Sequence, residues 1–156
     1  VILALTTVAL PSPAGVRAVG LLGPSGVGKS DLALRLIETP GAALVSDDQT
    51  LLEREGETLL ARPAPGIEGM IEVRGVGPLP VGAVACAPLA LLVSCEPPGF
   101  ASERAPALRI RTLLGLDRPV ISLIAVQASA PAVVRLALAA ALSGRLPGMG
   151  EPGNRA

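Results

Sequence analysis

Short apolar stretches and clusters of turn-forming residues succeed one another along the chain. Residues 1–10, VILALTTVAL, are apolar or β-branched and predict a strand; PSPAG makes a turn; residues 16–22 read as a second strand, so the two suggest a hairpin. Then the period changes. Leu32, Ala33, Leu36 and Ile37 recur at helical spacing, which predicts a helix opening at Gly28 or Lys29, running to about Glu38 and stopped by Pro40 and Gly41. Residues 42–46, AALVS, form a buried strand bounded by charges. Residues 49–61 suggest two strands turning about REGE at Gly56. GMIEVRGVG mixes a short alternating segment with glycines. Residues 88–95 are another buried strand, PPGFASERAP a loop, 120–126 a strand, and 131–142 an Ala-rich helix with Pro131 in its first turn.

Strands outnumber helices, and hairpins accompany buried strands. The fold class expected is therefore mixed α/β, a mixed β-sheet with few helices, and not a regular doubly wound sheet. Residues 1–143 read as one domain and 144–156 as a flexible Gly/Pro-rich tail.

Composition narrows the choice. Half of the 156 residues are apolar, yet there is one Phe and no Tyr or Trp, so the core must be aliphatic. Formal net charge is zero, and no aromatic platforms exist for bases to stack on; no nucleic-acid partner is expected. The uncharged run 76–95 is long enough to span a bilayer, but Pro78, Pro80 and Pro88 interrupt it, and it reads as a loop followed by a buried strand. The apolar opening has no basic region before it and reads as a strand rather than an export signal. No membrane association is expected. Cys86 and Cys95 are too few for a disulfide scaffold and are expected as small buried hydrophobes in a reducing, cytoplasmic compartment. The absence of any histidine excludes imidazole metal sites and Ser-His-Asp triads within the chain.

Against this background Lys29 stands out as the one lysine beside twelve arginines. It lies in Gly23, Pro24, Ser25, Gly26, Val27, Gly28, Lys29 and Ser30, which satisfy G-x-x-x-x-G-K-[ST], between a predicted strand and a predicted helix. Glycines let successive N–H groups turn inward, and with the helix N-terminus they make a concave anion site. A compact ammonium on a flexible stem can follow phosphate charge, and the Ser30 hydroxyl suits Mg²⁺. Asp47 and Asp48 end a predicted buried strand, where ligands gather in open sheets. One of the two can orient Mg²⁺ and the other accept a hydroxyl proton. Glu72 and Arg74, separated by Val73, are expected on one strand face, Glu72 as a hard oxygen ligand and Arg74 as a phosphate clamp. Glu103 and Arg104 lie in a loop and carry no signal by themselves.

GPSGVGKSDLALRLI, LVSDDQ, IEVRGVG and SERAP, in that order, resemble the catalytic domain of HPr kinase/phosphorylase, in the short single-domain form found in some proteobacteria. The resemblance runs from about Thr6 to Val126. It implies a fold like that of phosphoenolpyruvate carboxykinase and an enzyme of sugar-transport regulation. Such an enzyme phosphorylates a serine of the carrier protein HPr from ATP or pyrophosphate, and removes the phosphate by phosphorolysis. It implies catalytic roles for Lys29, for Asp47 as proton acceptor and donor, and for Arg104. Mg²⁺ is expected on Ser30, Asp48 and Glu72, and a hexameric assembly is expected. The chain departs from the family in three places. The family's active-site histidine, which precedes a Thr-Thr pair, is replaced near Ala4; the long form's N-terminal domain has no counterpart; and no Gly-Arg-Asn segment follows Val126. Two rival readings remain: a small-molecule or nucleotide kinase with a lid carrying Arg109, Arg111 and Arg118, and a nucleotide-binding sensor without catalysis.

Overall fold

The first hairpin forms where the β-branched pattern placed it. In the computed structural model, which describes residues 1–149, β1 (Ile2–Leu3) is followed by β2 (Thr6–Leu10), paired antiparallel with β3 (Arg17–Leu22), Val8 opposite Val19. Helix α1 (Lys29–Ile37) follows, then β4 (Ala43–Ser46), the hairpin β5 (Thr50–Glu55) and β6 (Thr58–Pro63), and a second hairpin, β7 (Met70–Val73) with β8 (Gly77–Pro80). The chain continues through β9 (Ala87–Glu96), β10 (Arg109–Leu113), β11 (Leu116–Ile124) and α2 (Ala130–Leu142).

The large sheet is mixed, as expected. β9 is parallel to β3 on one side and to β11 on the other, while β4 pairs antiparallel with β2 and so runs in the direction of β3. β4, β3, β9 and β11 therefore bring their carboxyl ends to one edge. The turns after them, which carry residues 23–28, 47–49, 97–108 and 125–129, leave from that edge, the usual ligand side of such a sheet. At its other end β9 pairs with β6 through Leu60–Pro88 and Ala61–Ala87, and β6, β5 and β1 extend the sheet from there.

Both faces of the central strands are covered, which is why they read as continuous apolar runs. On one face Leu32, Leu36, Val134 and Leu138 of the helices pack over Val8, Val19, Leu21, Leu91 and Val93. On the other, Leu5, Leu52, Leu59, Leu89, Leu92, Leu113 and Leu116 form a second core. A side chain at Gly20 would meet Leu92 Cδ2 at 3.0 Å, so the sheet and its lower core close tightly there. With no aromatic in either core, branched aliphatics fill the space. Each fully buried leucine contributes about 1.5–3 kcal/mol relative to exposure.

Four local expectations change. β8 occupies what read as loop: its Pro78 and Pro80 are tolerated because the hairpin has only two strands and no second ladder needs their missing N–H groups. β10 was not anticipated, and β11 begins at Leu116 rather than 120; the two are joined by Leu114 (φ 50) and Gly115 (φ 81), a tight turn built without the Asn-Gly or Asp-Gly that announces one. Cys86 is exposed, since it lies just before β9 enters the core, whereas Cys95 is buried as expected. The segment expected as a tail continues from α2 as a turn: the Arg145 and Leu146 amides donate to Ala140 O, and Leu146 packs on the helix-side core. The rest of that expectation, 150–156, lies outside the described residues. Among the described residues no helix is long and apolar enough to cross a membrane.

Candidate active site

The loop 23–28 leaves β3 and feeds α1, the context the motif requires. A side chain would be strained at both Gly23 (φ 147) and Gly28 (φ 110), and crowded as well: a Cβ on Gly23 would lie 2.9 Å from Cys95 O, and one on Gly28 3.0 Å from Val126 Cγ1. Gly28 caps α1 without any side-chain hydrogen bond, leaving the first-turn amides for an anion. Lys29 Nζ donates to Gly23 O and, at 3.3 Å, to Pro24 O, so the ammonium lies against the start of its own loop.

Asp47 is the centre of the polar site. It is 7% exposed and follows β4 at the ligand edge of the sheet. Its Oδ1 accepts from Ser30 Oγ at 3.0 Å and from Thr6 Oγ1 at 3.1 Å; its Oδ2 accepts from the Glu72 amide at 2.9 Å. The structure thus brings the loop serine, the first aspartate and the β7 strand to one carboxylate. Asp48, expected beside Ser30, is exposed; the side chain touching Ser30 is that of Asp47. Asp48 has φ 63, and the Gln49 amide donates to Asp47 O at 2.7 Å, a tight three-residue turn in a conformation that costs an L-residue energy. The Asp48 amide donates in turn to Thr6 Oγ1 at 3.1 Å.

Glu72 is held over the site by its backbone bond to Asp47, its side chain exposed. Arg74 does not share its strand face, because β7 ends at Val73 and Arg74 enters a turn closed by the Val76 amide on Val73 O. That turn nevertheless carries Arg74 to the loop: its Nη2 is 3.8 Å from where a Cβ on Gly26 would sit. Arg104 is in the exposed loop after β9, at the same edge of the sheet, without a hydrogen bond or ion pair among the described residues. The rival lid is not built: Arg109, Arg111 and Arg118 lie on β10 and β11, and Arg118 Nε donates to Leu89 O at 2.6 Å. Burial lowers the Arg118 pKa, against the charges of Asp117 and Glu57. Beneath the loop, burial pushes the Cys95 thiol up to about 12.

Two residues escaped the sequence reading. Thr6 is one; its only local sign is a hydroxyl in an apolar strand. The other is Arg35, which bonds Ala125 O and, at 3.1 Å, Gln127 O, and pairs with Asp31 at 2.8 Å. It ties α1 to the segment whose Val126 abuts Gly28. An arginine at the end of a helix reads as a solvated charge until its distant partners are known.

Hard oxygens from Ser30, Asp47, Asp48 and Glu72 suit Mg²⁺. Among the described residues no three Asp, Glu, Cys or His side chains form a cage of their own.

Residues 14–85, just under half of the chain, match the family model of the HPr Serine kinase C-terminal domain. The chain is 49% identical over 59 residues to HPr kinase/phosphorylase of Chlorobium chlorochromatii, covering 36% of this chain and 17% of that protein. It is 43% identical over 65 residues to the protein of the same name from Bacillus cereus strain B4264, covering 40% and 21%. The chain thus spans about a fifth of the length of these curated relatives. In fold it is similar to the Hpr(Ser) kinase/phosphatase from Coxiella burnetii, with a TM-score of 0.71, 24% identity and 87% of each chain covered. Sequence over the half that holds the glycine loop, and fold over nearly the whole chain, agree: this chain is similar to HPr kinase/phosphorylase.

Proposed function

We propose that the chain transfers phosphate from ATP or pyrophosphate, with Mg²⁺, to a serine of an HPr-type carrier protein, and removes it by phosphorolysis. The observation that carries the reading is the convergence of Ser30, Asp47 and the Glu72 amide beside the loop 23–28. A glycine-rich anion site alone would serve any nucleotide binder; a buried carboxylate bonded to its serine adds a group able to handle a proton beside the donor phosphates.

In this mechanism the amides of 26–30 and Lys29 hold the donor phosphates, and Arg74 approaches from the hairpin. When bound, Mg²⁺ would neutralise donor charge and polarise the phosphoryl oxygens, and Ser30 with Asp48 and Glu72 are the residues that would hold it. A carboxylate offers about four acceptor positions. Three on Asp47 are filled by Thr6, Ser30 and the Glu72 amide, which leaves one for the acceptor hydroxyl. Asp47 takes that proton as the serine oxygen bonds to phosphorus and the donor's bridging bond breaks. In reverse, an oxygen of inorganic phosphate bonds to the phosphoserine phosphorus, the serine O–P bond breaks, pyrophosphate leaves, and Asp47 returns the proton to the freed serine oxygen. Arg104 stabilises the transferring group from the loop after β9. Positioning and charge stabilisation supply most of the acceleration.

The same reading has the chain working in the cytoplasm as a homo-oligomer, a hexamer by resemblance. Incubation with labelled ATP or pyrophosphate, Mg²⁺ and the HPr of its own cell, followed by mass spectrometry, tests it. Phosphate on one HPr serine is the expected result; nucleotide binding without any phosphorylated product rejects it. A nucleoside monophosphate offered as rival acceptor stays unmodified.

A further inference from the structure

We propose that Thr6 is the positioning residue for Asp47, setting the direction of its carboxylate in a chain that has no imidazole to do so. The proposal rests on the functional reading above. Four observations carry it. Thr6 is 1% exposed and sits at the start of β2, opposite Leu21 in the strand that leads into the glycine loop, so its backbone is fixed by the sheet. Its Oγ1 accepts from the Asp48 amide at 3.1 Å. A hydroxyl has one proton, and that bond turns it toward Asp47 Oδ1, also at 3.1 Å. The third contact on the carboxylate, Ser30 Oγ, belongs to a residue that must also serve the metal.

The two bonds of Thr6 have different consequences. The bond to Asp47 orients the group that moves the proton. The bond from Asp48 supports the residue at φ 63, so the strained turn that ends β4 is held in place by the same oxygen. Ala4, two positions earlier, offers no polar side-chain atom. Without Thr6 the carboxylate loses its donor from the large sheet and can turn on its own side-chain bond, which loosens the bond that its Oδ2 accepts from the Glu72 amide.

The test compares Thr6→Val, which keeps the branched shape without the hydroxyl, with Thr6→Ser, which keeps the hydroxyl. Transfer to HPr is measured with calorimetric binding of pyrophosphate. Thr6→Val is expected to lose roughly 10–100-fold in kcat, the range for losing a hydrogen bond to a charged group. Pyrophosphate affinity stays unchanged, and Thr6→Ser recovers most of the rate. A kcat within twofold of the parent, a loss confined to KM, or a serine variant no better than valine overturns the proposal. Amide exchange gives a readout independent of turnover: the Asp48 and Glu72 amides lose protection in Thr6→Val and keep it in Thr6→Ser. If the parent transfers no phosphate, the functional reading falls, and the exchange result alone decides whether Thr6 holds Asp47. Should the valine variant not fold, Thr6→Ala is read the same way, and unchanged protection of both amides in any folded variant lacking the hydroxyl overturns the proposal.

Discussion

Ser30 Oγ donates to Asp47 Oδ1 at 3.0 Å, joining the first turn of α1 to the end of β4 across the ligand edge of the sheet. Among the described residues all three groups that reach the Asp47 carboxylate are donors, so its oxygens serve only as acceptors. Asp47→Asn keeps size and shape but supplies one oxygen. If that oxygen serves Ser30 and Thr6, the new NH₂ faces the Glu72 amide, donor against donor. The variant is expected to lose transfer while still binding pyrophosphate, and to be less stable by about 1–3 kcal/mol. Turnover, calorimetry and denaturant unfolding of one preparation check the three parts; collapse of affinity with a normal rate at saturation contradicts the assigned role.

Lys29 tests the glycine loop itself. Among the described residues its ammonium bonds only loop carbonyls, so removing it should leave both cores untouched. Lys29→Ala is expected to fold normally and to lose transfer by roughly 10²–10³-fold or more, the scale for deleting one preorganised charge-stabilising group. Lys29→Arg should not restore it, because a planar guanidinium cannot occupy the same confined position. Circular dichroism and labelled-phosphate transfer check both; a folded alanine variant with retained turnover contradicts the loop's role.

The parts of this site that could be read in sequence are those whose signal is local. The loop 23–30 carries its own glycine spacing, and Asp47 was visible as a charge ending an apolar run. Thr6 was not visible, because its partner is 41 positions away and only the pairing of β2 between β3 and β4 brings them together. Periodicity gives faces, not strand order. Arg74 was misplaced by one residue of strand length: alternation put it on Glu72's face, and the turn at Val73 sent it to Gly26 instead. β10 was hidden because exposed arginines at 109 and 111 look like loop until β11 is there to pair with them. The mixed α/β class was legible since buried strands and hairpins have distinct patterns. That β9 serves two partners in turn on one side is a tertiary fact with no counterpart in local pattern.

Leu114 marks a place where the chain departs from local preference. It is 42% exposed at φ 50 in the two-residue turn between β10 and β11. A leucine in this conformation costs about 1–2 kcal/mol, and asparagine tolerates it. Leu114→Asn is expected to stabilise the fold by about 1 kcal/mol, raising Tm by about 2–4 °C for a chain of this size. Scanning calorimetry checks it, and a lower Tm contradicts the turn geometry.

Arg74 separates donor binding from folding. It is exposed, and its guanidinium reaches the loop at Gly26 without an ion pair among the described residues. Arg74→Ala is expected to leave Tm unchanged and to weaken pyrophosphate binding roughly 10–100-fold, the value of one charge-assisted contact. Calorimetric titration checks it. Unaltered affinity returns Arg74 to an ordinary solvated charge.

Cys95 and Cys86 respond differently to alkali and to alkylation. Burial pushes the Cys95 thiol from 9.0 to about 12, with Lys29 and Arg35 pulling the other way and Glu96 adding to the rise. The folded state therefore binds this proton more tightly than the unfolded chain. The stabilisation is fully present below the unfolded value and is lost progressively as pH rises from about 9 toward 12. Unfolding free energy measured across this window should fall, and Cys95→Ala should remove that component of the slope. At pH 8 iodoacetamide should label the exposed Cys86 in the native protein and reach Cys95 only in denaturant. Rapid native labelling of Cys95 would mean that β9 opens beside Gly23 and that the close packing of Cys95 under the loop 23–28 does not hold.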